Sequence, residues 1–518
     1  MTTTESPAPA DASAPEKRKR GYLFYIAGLT GLIVAFYLWE NYSGPKALRE
    51  TVAAYEKAGF PLDPTKVLPG PVPDAENFCA HPLLAGIAAT RDGKPTPEAE
   101  RKIKALEELF PKPQPGTRLA RTQVQKPNTP EFWAQQRQIL DDSPTYNAAV
   151  PADETDDAKA VYAALQIQRP LLDELAAAAA SRPFAVFTPA PVERAAHFTE
   201  FGSTYQTTKM MPLARLIQLH ARAAVASGHS DEAAAHAAVL WKQHDATNGE
   251  RTLIGHLVAT TLVRMWCELA HEAIAATGTE TSVLEQFSSQ IPATWNPRKA
   301  LLNAMHGEAL YIYGGFNGRS RAELTEALQA GFNSYHKWLV KLGPRGWIDH
   351  SYDFALWSLK EFSLQPLAAS GFRHLPAAEK AYSDQWSGRL DPYTPYRLLG
   401  PLNYHSIYTG LAHKAQTTRL TQAALAMELH RRKNGRFPAS IGDLVPEFLA
   451  AVPPDIDDQP LRLTTAPDGT SAVLYSVGSN MTDDWHGTPP PGTKTVTQSE
   501  DSRDAADWVL PLPLQPAP

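Results

Sequence analysis

Several histidine, cysteine and glutamate residues stand at spacings that occur in metal sites. His271 and Glu272 begin an H-E-x-x-H sequence, which would place two zinc ligands on one helix face, but position 275 is alanine. Cys267 lies four residues before His271, on the same predicted helix face, and no further ligands can be assigned to this pair. We therefore predict a packed cysteine beside a hydrogen-bonded histidine rather than a zinc site.

Two other patterns suggest enzymatic chemistry. Residues 334–337, SYHK, fit S-x-x-K, the serine nucleophile motif of penicillin-binding enzymes, but the companion S-D-N and K-T-G sequences are absent. His306 and Glu308, close to two tyrosines, have side chains suited to a polar pocket, as do the aromatic residues between 338 and 357. Aromatic residues at this density more often form a core. The sequence assigns no catalytic residue and favours a non-enzymatic protein.

The composition is that of an ordinary folded protein with an excess of proline. The chain has 518 residues, enough for two or more domains, of which 43% are hydrophobic and 20% charged. The net charge of −6 is mild and no basic patch dominates, so we predict no nucleic-acid partner. The 45 prolines cluster near the N-terminus, around residues 61–73 and after residue 488, which indicates linkers. Whether Cys79 and Cys267 form a disulfide is left open.

Residues 21–39, GYLFYIAGLTGLIVAFYLW, contain no charged side chain and carry aromatic residues at both ends. A helix of this length spans about 28 Å, close to the roughly 30 Å hydrocarbon core of a bilayer. A cleaved signal peptide has a shorter apolar region, about 7–15 residues, that ends at a small-residue cleavage site. The segment therefore predicts a transmembrane helix, with the lipid bilayer as its partner.

The charges that flank this helix predict its direction. Four basic residues, 17–20, precede it, whereas only Lys46 and Arg49 follow closely. By the positive-inside rule the N-terminus stays in the cytoplasm. We predict a single-pass signal-anchor protein of a bacterial inner membrane, with its bulk in the periplasm or outside the cell.

The predicted fold class is mainly α, with a small C-terminal α+β module. The expected segments are a disordered cytoplasmic tail (1–20), the transmembrane helix (21–39), a proline-rich tether with short helices (40–150), a helical domain (151–415), a module of helix and β-hairpin (416–487) and a disordered tail (488–518). In the tether, short helices are predicted over 45–58, 97–110 and 129–141. In the helical domain they are predicted over 212–227, 230–245, 252–276, 297–313, 319–342 and 376–382. The pair joined by Gly228 and His229 resembles one tetratricopeptide-type hairpin, but no repeat period follows, so an irregular α–α packing is expected.

The module begins with a predicted helix, 418–433, which Asn434 and Gly435 end. Ser440 and Asp443 have the spacing of a capping box for a second, short helix. Two apolar stretches, 461–463 and 473–477, flank Pro467-Asp468-Gly469 and predict a β-hairpin.

The order ALAMELHRRKNGRFPASIGDLVPEFL, then VPPD, then LYSVGSNMTDD resembles the C-terminal half of the type II secretion major pseudopilins. The resemblance covers roughly 70 of 518 residues and implies a helix, a turn and a small sheet. The family's prepilin-peptidase site, G-F-T-L-x-E, is absent, so a fibre subunit is not expected. Taken whole, the chain is similar to a family of bacterial membrane-anchored proteins that share the P-x-P-D-x-x-N-F sequence at 71–78 and T-L-I-x-x-L-V at 252–258. This similarity implies no activity.

The pseudopilin resemblance also implies a calcium site. In that family the loop after S-x-G holds calcium through acidic side chains, and the matching positions here are Asp483 and Asp484. Calcium takes about six to eight oxygen ligands, so backbone carbonyls or Asp455, Asp457 and Asp458 would have to contribute. The other interpretation is a solvated acidic turn.

Three functions follow as hypotheses. The first is a membrane-tethered extracytoplasmic scaffold or interaction protein with a protein partner in the cell envelope. The second is an envelope hydrolase or transferase whose site is assembled in the helical domain from residues distant in sequence. The third is a calcium-stabilised C-terminal binding module.

Overall fold

The computed structural model describes residues 14–67, 72–91, 94–112, 126–187, 208–292, 295–315, 341–374, 404–484 and 507–514, with positions 70, 323, 377, 380 and 384 between them. The α-helices are α1 (Ala14–Lys57), α2 (Pro64–Val67), α3 (Pro97–Leu109), α4 (Pro130–Asp141), α5 (Asp157–Leu165), α6 (Arg169–Ser181), α7 (Met211–Ala226), α8 (Ser230–Gly249), α9 (Leu253–Ala275), α10 (Thr281–Gln290), α11 (Pro297–Gly314), α12 (Arg345–Leu359), α13 (Gln365–Ser370) and α14 (Tyr404–Asn434). The strands are β1 (Thr90–Arg91), β2 (Lys94–Pro95), β3 (Arg462–Thr465), β4 (Ala472–Ser476) and β5 (Trp508–Leu512). Short 3₁₀ or π turns connect several of the helices. The prediction of a mainly helical chain with a long apolar N-terminal helix is confirmed.

The described residues form two compact units. The first contains residues 14–59, position 323 and residues 341–357, and the second contains the described residues of 60–315, 358–384 and 404–514.

In the first unit, α1 packs against α12 where two glycines face each other. A Cβ atom at Gly44 would lie 2.4 Å from the carbonyl oxygen of Gly346, and one at Gly346 would lie 1.8 Å from the carbonyl oxygen of Glu40. Only glycine lets the two backbones approach this closely. The Gly346 N–H donates to Asn41 Oδ1 at 3.1 Å.

Further along the same pair, side-chain hydrogen bonds join the helices. Thr51 Oγ1 donates to Asp353 Oδ1 at 2.6 Å, and the buried Tyr55 hydroxyl donates to the Leu356 carbonyl at 2.7 Å. The predicted separate helix over 45–58 is therefore wrong, because α1 continues through Pro45 to Lys57. Proline removes one backbone donor, and the contacts with α12 on either side of it hold the helix together.

The second unit is organised around α9, which packs against α7, α8, α11 and α14. An aromatic cluster forms part of this core: the ring centroids of Trp241 and Trp266 are 5.5 Å apart, and those of Trp266 and Phe287 are 6.0 Å apart. The Trp266 indole N–H donates to Gln290 Oε1 at 2.7 Å, so this fully buried ring leaves no unpaired polar atom.

The helix boundaries follow local capping chemistry. Thr252 accepts a hydrogen bond from the Gly255 N–H at 3.0 Å and starts α9, while Asn296 accepts from the Lys299 N–H at 3.0 Å and starts α11. Gly228 has a φ of 86° in the turn between α7 and α8, as the sequence pattern predicted. The predicted helices over 97–110, 129–141, 212–227, 230–245, 252–276 and 297–313 are all present within one to four residues. Those over 319–342 and 376–382 fall almost entirely outside the described residues.

Three predicted segment boundaries need correction. α1 begins at Ala14 and includes the basic residues 17–20, which were expected in a disordered tail, while residues 1–13 lie outside the described part. The described residues of 60–150 bury large side chains such as Phe78 and Leu106 in the second unit, so they are not a loose tether. The boundary at 416 falls inside α14, because the helix begins twelve residues earlier, at Tyr404.

The small sheet has three strands in the order β3-β4-β5, all antiparallel. The predicted hairpin is present as β3 and β4, with Leu463 opposite Leu474. β5 adds a strand that was not predicted, with Val509 opposite Tyr475. The expectation of a disordered tail is therefore wrong for Trp508–Leu512. Proline at position 511 is tolerated because β5 is an edge strand of this sheet.

Candidate functional site

The predicted calcium ligands Asp483 and Asp484 have separate partners. Asp483 Oδ2 accepts a hydrogen bond from Arg462 Nε at 3.2 Å, whereas Asp484 Oδ2 accepts from Asn480 Nδ2 at 2.7 Å. Asp458, one of the suggested helpers, pairs with Arg373 at 2.9 Å. Among the described residues, no group of three or more histidine, cysteine, aspartate or glutamate side chains is arranged to hold a metal ion. The calcium site stays a prediction.

The cation among these carboxylates is the guanidinium of Arg462. Its Nη2 lies 2.8 Å from Asp457 Oδ2, its Nε bonds Asp483, and its Nη1 bonds Asp455. Asp455 is completely buried and also accepts hydrogen bonds from Gln416 Nε2 at 2.9 Å, from the Val477 N–H at 3.0 Å and from the Ser476 hydroxyl. Burial raises the pKa of Asp455 to about 6, so the carboxylate is ionised at neutral pH.

A small cavity of about 20 Å³ lies among the helices of the second unit. His244, His256 and Lys414 contribute its polar lining, and the rest is mostly apolar. His256 Nδ1 lies 2.9 Å from Asn248 Oδ1, and His244 Nδ1 lies 3.0 Å from Asp245 Oδ1.

The cavity has the chemistry of a site but not the volume. Burial, with the neighbouring His244 and Lys414, lowers the pKa of His256 to about 3, and burial with the charge of Arg264 lowers the pKa of Lys414. A cavity of this size holds about one water molecule, whereas ligand pockets have volumes of roughly 300–1,000 Å³. In this conformation the cavity admits no substrate.

A second concave surface is an open groove of about 400 Å³ at the end of α3. Lysine and glutamate side chains line it together, among them Lys104, Glu107 and Lys112. Glu107 is already paired with Lys209 at 2.8 Å. The mixed charge and the open shape give no defined recognition chemistry.

A chain of three side chains in the second unit has the order of an acid–base relay. Asp173 Oδ1 lies 2.9 Å from His236 Nε2, and His236 Nδ1 lies 3.3 Å from His220 Nδ1. Both histidines are completely buried, and burial with the neighbouring His236 lowers the pKa of His220 to about 3. Neither described pocket reaches this relay. The two histidines are therefore enclosed by the core, whereas the Asp173 side chain is 54% exposed at the surface.

The residues that resembled catalytic motifs also have structural partners. Cys267 Sγ lies 3.8 Å from Thr418 Oγ1, and His271 Nε2 lies 2.9 Å from Thr421 Oγ1, so both contact α14. His306 Nε2 donates to the Pro61 carbonyl at 2.9 Å. Cys79 and Cys267 are both free and buried, and burial raises the pKa of each thiol. Residues 334–337 lie outside the described residues.

The most unusual surface is the N-terminal half of α1. Every side chain over 22–39 is exposed except the half-buried Tyr37, and the exposed fraction reaches 82% at Tyr25. The helix is long and apolar enough to cross a membrane, with a most apolar window of mean hydropathy 1.7 that is 0% buried. α9 also passes this test of length and composition, but 61% of its window is buried, so it is the core helix of the second unit.

Comparison of the chain with protein-family models, curated proteins and solved structures finds no match.

Proposed function

We propose that this chain is a single-pass bacterial inner-membrane protein whose extracytoplasmic helical body acts as a scaffold or interaction protein. The observation that carries the proposal is the exposed apolar surface over 22–39, which is unfavourable in water and favourable in lipid. The basic residues 17–20 favour a cytoplasmic N-terminus and a body in the periplasm or outside the cell.

A scaffold fits the described surfaces better than an enzyme does. The cavity that gathers histidine and lysine has space for one water, and the two histidines of the relay are completely buried. A tether confines the body to a thin layer at the membrane, which raises its effective concentration for partners held in the same layer.

The membrane part of the proposal is tested by extraction with alkaline carbonate. We expect the chain to stay in the membrane pellet, and the double variant Leu29→Arg/Leu32→Arg to move to the supernatant, because each arginine costs roughly 3 kcal/mol at the centre of a spanning helix. The matched control, Ile167→Arg/Ile254→Arg, changes two leucine-sized residues that are also exposed, at 45% and 47%, outside α1. Release of the unaltered chain by carbonate would contradict the anchor.

The scaffold part is tested by cross-linking in cells followed by solubilisation in several detergents. We expect a defined envelope protein to be recovered with the anchored chain and lost with Leu29→Arg/Leu32→Arg. Failure to enrich any partner in every detergent would contradict a scaffold.

An envelope hydrolase or transferase remains a second candidate, because His244, His256 and Lys414 converge on one cavity. If this cavity opens to admit a substrate, the Lys414 amine should react with a small acylating reagent at mildly alkaline pH, since its pKa is lowered. Mass spectrometry measures the extent of acylation of Lys414 relative to that of the exposed Lys104. An unmodified Lys414 would contradict the candidate.

We also propose that residues 416–487 form a pseudopilin-like module. The support is the order of elements: the end of α14, the left-handed Gly435 with a φ of 73°, the hydrogen bond from the Ser440 N–H to Asp443 at 2.8 Å, and the hairpin of β3 and β4. An experimental structure of this segment in which these elements pack in a different arrangement would contradict the proposal.

A further inference from the structure

Residues 341–347 lie beside the end of the apolar half of α1. The Tyr37 hydroxyl donates to the Leu342 carbonyl, and the ring centroids of Phe36 and Trp347 are 5.9 Å apart. Trp39 ends the stretch that we place in the bilayer. Phe36 and Tyr37 precede it by three and two residues, which at 1.5 Å per residue places them roughly 3–5 Å deeper in the membrane. The segment 341–347 is therefore at the depth of the lipid–water interface.

The side chains of this segment suit that depth. Leu342 is 49% exposed, although the chain buries most leucines of the second unit completely. Lys341 is exposed and Arg345 is half-buried, so cationic groups stand on both sides of Leu342. Apolar side chains at the boundary of headgroups and acyl chains, with lysine or arginine beside them, are typical of segments that bind anionic membrane surfaces.

The packing of α12 on α1 fixes the segment at this level. The Gly44–Gly346 contact and the hydrogen bond from the Gly346 N–H to Asn41 set the register of the two helices. α12 also covers Glu40, the first charged residue after the apolar stretch, which is only 3% exposed and lies 3.7 Å from His350 Nε2. The carboxylate is thus shielded from lipid where α1 leaves the bilayer.

We propose that residues 341–347 enter the interfacial layer of the membrane, with Leu342 at the acyl boundary and Lys341 and Arg345 against the phosphates of anionic phospholipids. This inference rests on the proposed membrane anchor. The chain therefore contacts the bilayer at a second place, about 300 residues from the first along the sequence.

The test uses the full chain in vesicles of equal parts phosphatidylcholine and phosphatidylglycerol. A Leu342→Cys variant is labelled with an environment-sensitive fluorophore, and quenching by brominated lipid is compared with quenching by iodide in the water. The buried, high-pKa thiols of Cys79 and Cys267 should not react, which the unsubstituted chain checks. Leu29→Cys reports on the span, and Ile254→Cys, with a matched exposure of 47%, reports on a site outside the first unit.

We expect brominated lipid to quench the labels at positions 29 and 342 several-fold more than the label at position 254. Quenching of position 342 by iodide alone would overturn the inference. Protection of position 342 from both quenchers would also overturn it, because another protein surface would then cover Leu342. If brominated lipid does not quench the label at position 29, the proposed membrane anchor is wrong. If it quenches the label at position 29 but not the label at position 342, the anchor stands and only the present inference is wrong.

Two further variants separate the charges from the packing. In the double variant Lys341→Gln/Arg345→Gln, we expect the quenching of the label at position 342 by brominated lipid to become independent of phosphatidylglycerol. If the quenching still depends on phosphatidylglycerol, the proposed contact with lipid phosphates is contradicted. In Gly346→Ala the added Cβ meets the Glu40 carbonyl, so the label at position 342 should become accessible to iodide while the label at position 29 stays in lipid. Gly31→Ala, with no atom within 4 Å of the added Cβ, is the matched control and should change neither.

Discussion

Arg462 occupies the place among three carboxylates where a bound cation would otherwise be needed. Asp455, Asp457 and Asp483 each accept a hydrogen bond from a different nitrogen of its guanidinium. A guanidinium offers five donors in a fixed plane, so one side chain can orient three acceptors that come from two loops, Asp455 and Asp457 from one and Asp483 from the other. Asp455 depends most on this arrangement because it is fully buried.

Replacement of this cation should destabilise the C-terminal module. Arg462→Met leaves the Asp455 carboxylate buried without its counter-ion, and we expect a loss of roughly 3–5 kcal/mol in the free energy of unfolding. The control Arg373→Met breaks the exposed pair with Asp458 and should cost less than about 1 kcal/mol. Both are measured by denaturant unfolding of the detergent-solubilised chain. Equal losses for the two variants would refute the role of Arg462.

The same arrangement predicts the response to calcium removal. Because Arg462 already neutralises Asp483, and Asp484 is bonded to Asn480, we expect a chelator to leave the melting temperature of the chain unchanged. A drop in melting temperature that added calcium reverses would instead support the calcium site at Asp483 and Asp484.

Buried neutral histidines should make the helical core sensitive to acid. Burial lowers the pKa of His271 to about 4, whereas the unfolded chain has a value near 6.5. Between these pH values the unfolded chain binds a proton that the folded chain does not. The contribution of His271 to stability is therefore complete above about pH 6.5 and falls as the pH decreases.

A single substitution isolates this effect from the other titrating groups. His271→Gln keeps a hydrogen-bonding partner for Thr421 and removes the titration. We expect the variant to be less stable than the unaltered chain at neutral pH. This difference in the free energy of unfolding should shrink by about 3 kcal/mol between neutral pH and pH 4, at about 1.4 kcal/mol per pKa unit. Denaturant unfolding at a series of pH values measures it, with His229→Gln at an exposed site as control. A deficit that stays constant with pH would show that His271 is not held neutral.

At the scale of elements, β5 covers one edge of β4. Val509 packs against Tyr475 and Val473, and the Trp508 ring lies 4.9 Å from the ring of His413 on α14. A chain that ends at residue 506 should therefore lose stability by several kcal/mol, since it exposes this apolar face and an unpaired strand. Removal of residues 515–518 alone should have no effect. Both truncations are compared by thermal unfolding, and equal melting temperatures for the two would mean that β5 does not hold the sheet.

The elements with local sequence signals could be predicted, and those that depend on distant partners could not. Ser440 and Gly228 marked a helix start and a turn correctly, because a capping box and a left-handed glycine act over a few residues. β5 was missed because its stretch lies in a proline-rich tail, contains Pro511, and pairs with a strand about 35 residues earlier. Pro45 was misread as a helix start because its context is α12, roughly 300 residues away.

The candidate sites also divide into those with a local sequence signal and those that depend on residues distant in sequence. The exposed apolar stretch 22–39 could be predicted, since it is continuous in sequence. Asp455, Asp457 and Asp483 were grouped from the sequence as possible calcium ligands, but Arg462, whose guanidinium they contact, was not recognised as their partner. The cavity combines positions 244, 256 and 414, which no local spacing connects, so only the tertiary structure brings them together.

At the scale of the whole molecule, the direction of α1 determines which compartment the helical body occupies. The positive-inside rule relies on charge close to the ends of the span, and here four basic residues precede it while Lys46 and Arg49 follow it. Replacement of residues 17–20 by glutamine leaves the excess of positive charge on the other side. We therefore expect a substantial fraction of the variant molecules to insert in the opposite direction.

A membrane-impermeant maleimide applied to intact spheroplasts measures this orientation. The two native thiols are buried, so Thr3→Cys reports on the N-terminal side alone. We expect no labelling of position 3 in the chain with its basic residues intact, and clear labelling when residues 17–20 are glutamine. A matched variant that replaces Lys46 and Arg49 by glutamine widens the charge difference and should leave position 3 unlabelled. Labelling of position 3 with the basic residues present would place the body in the cytoplasm and remove the basis for an envelope scaffold.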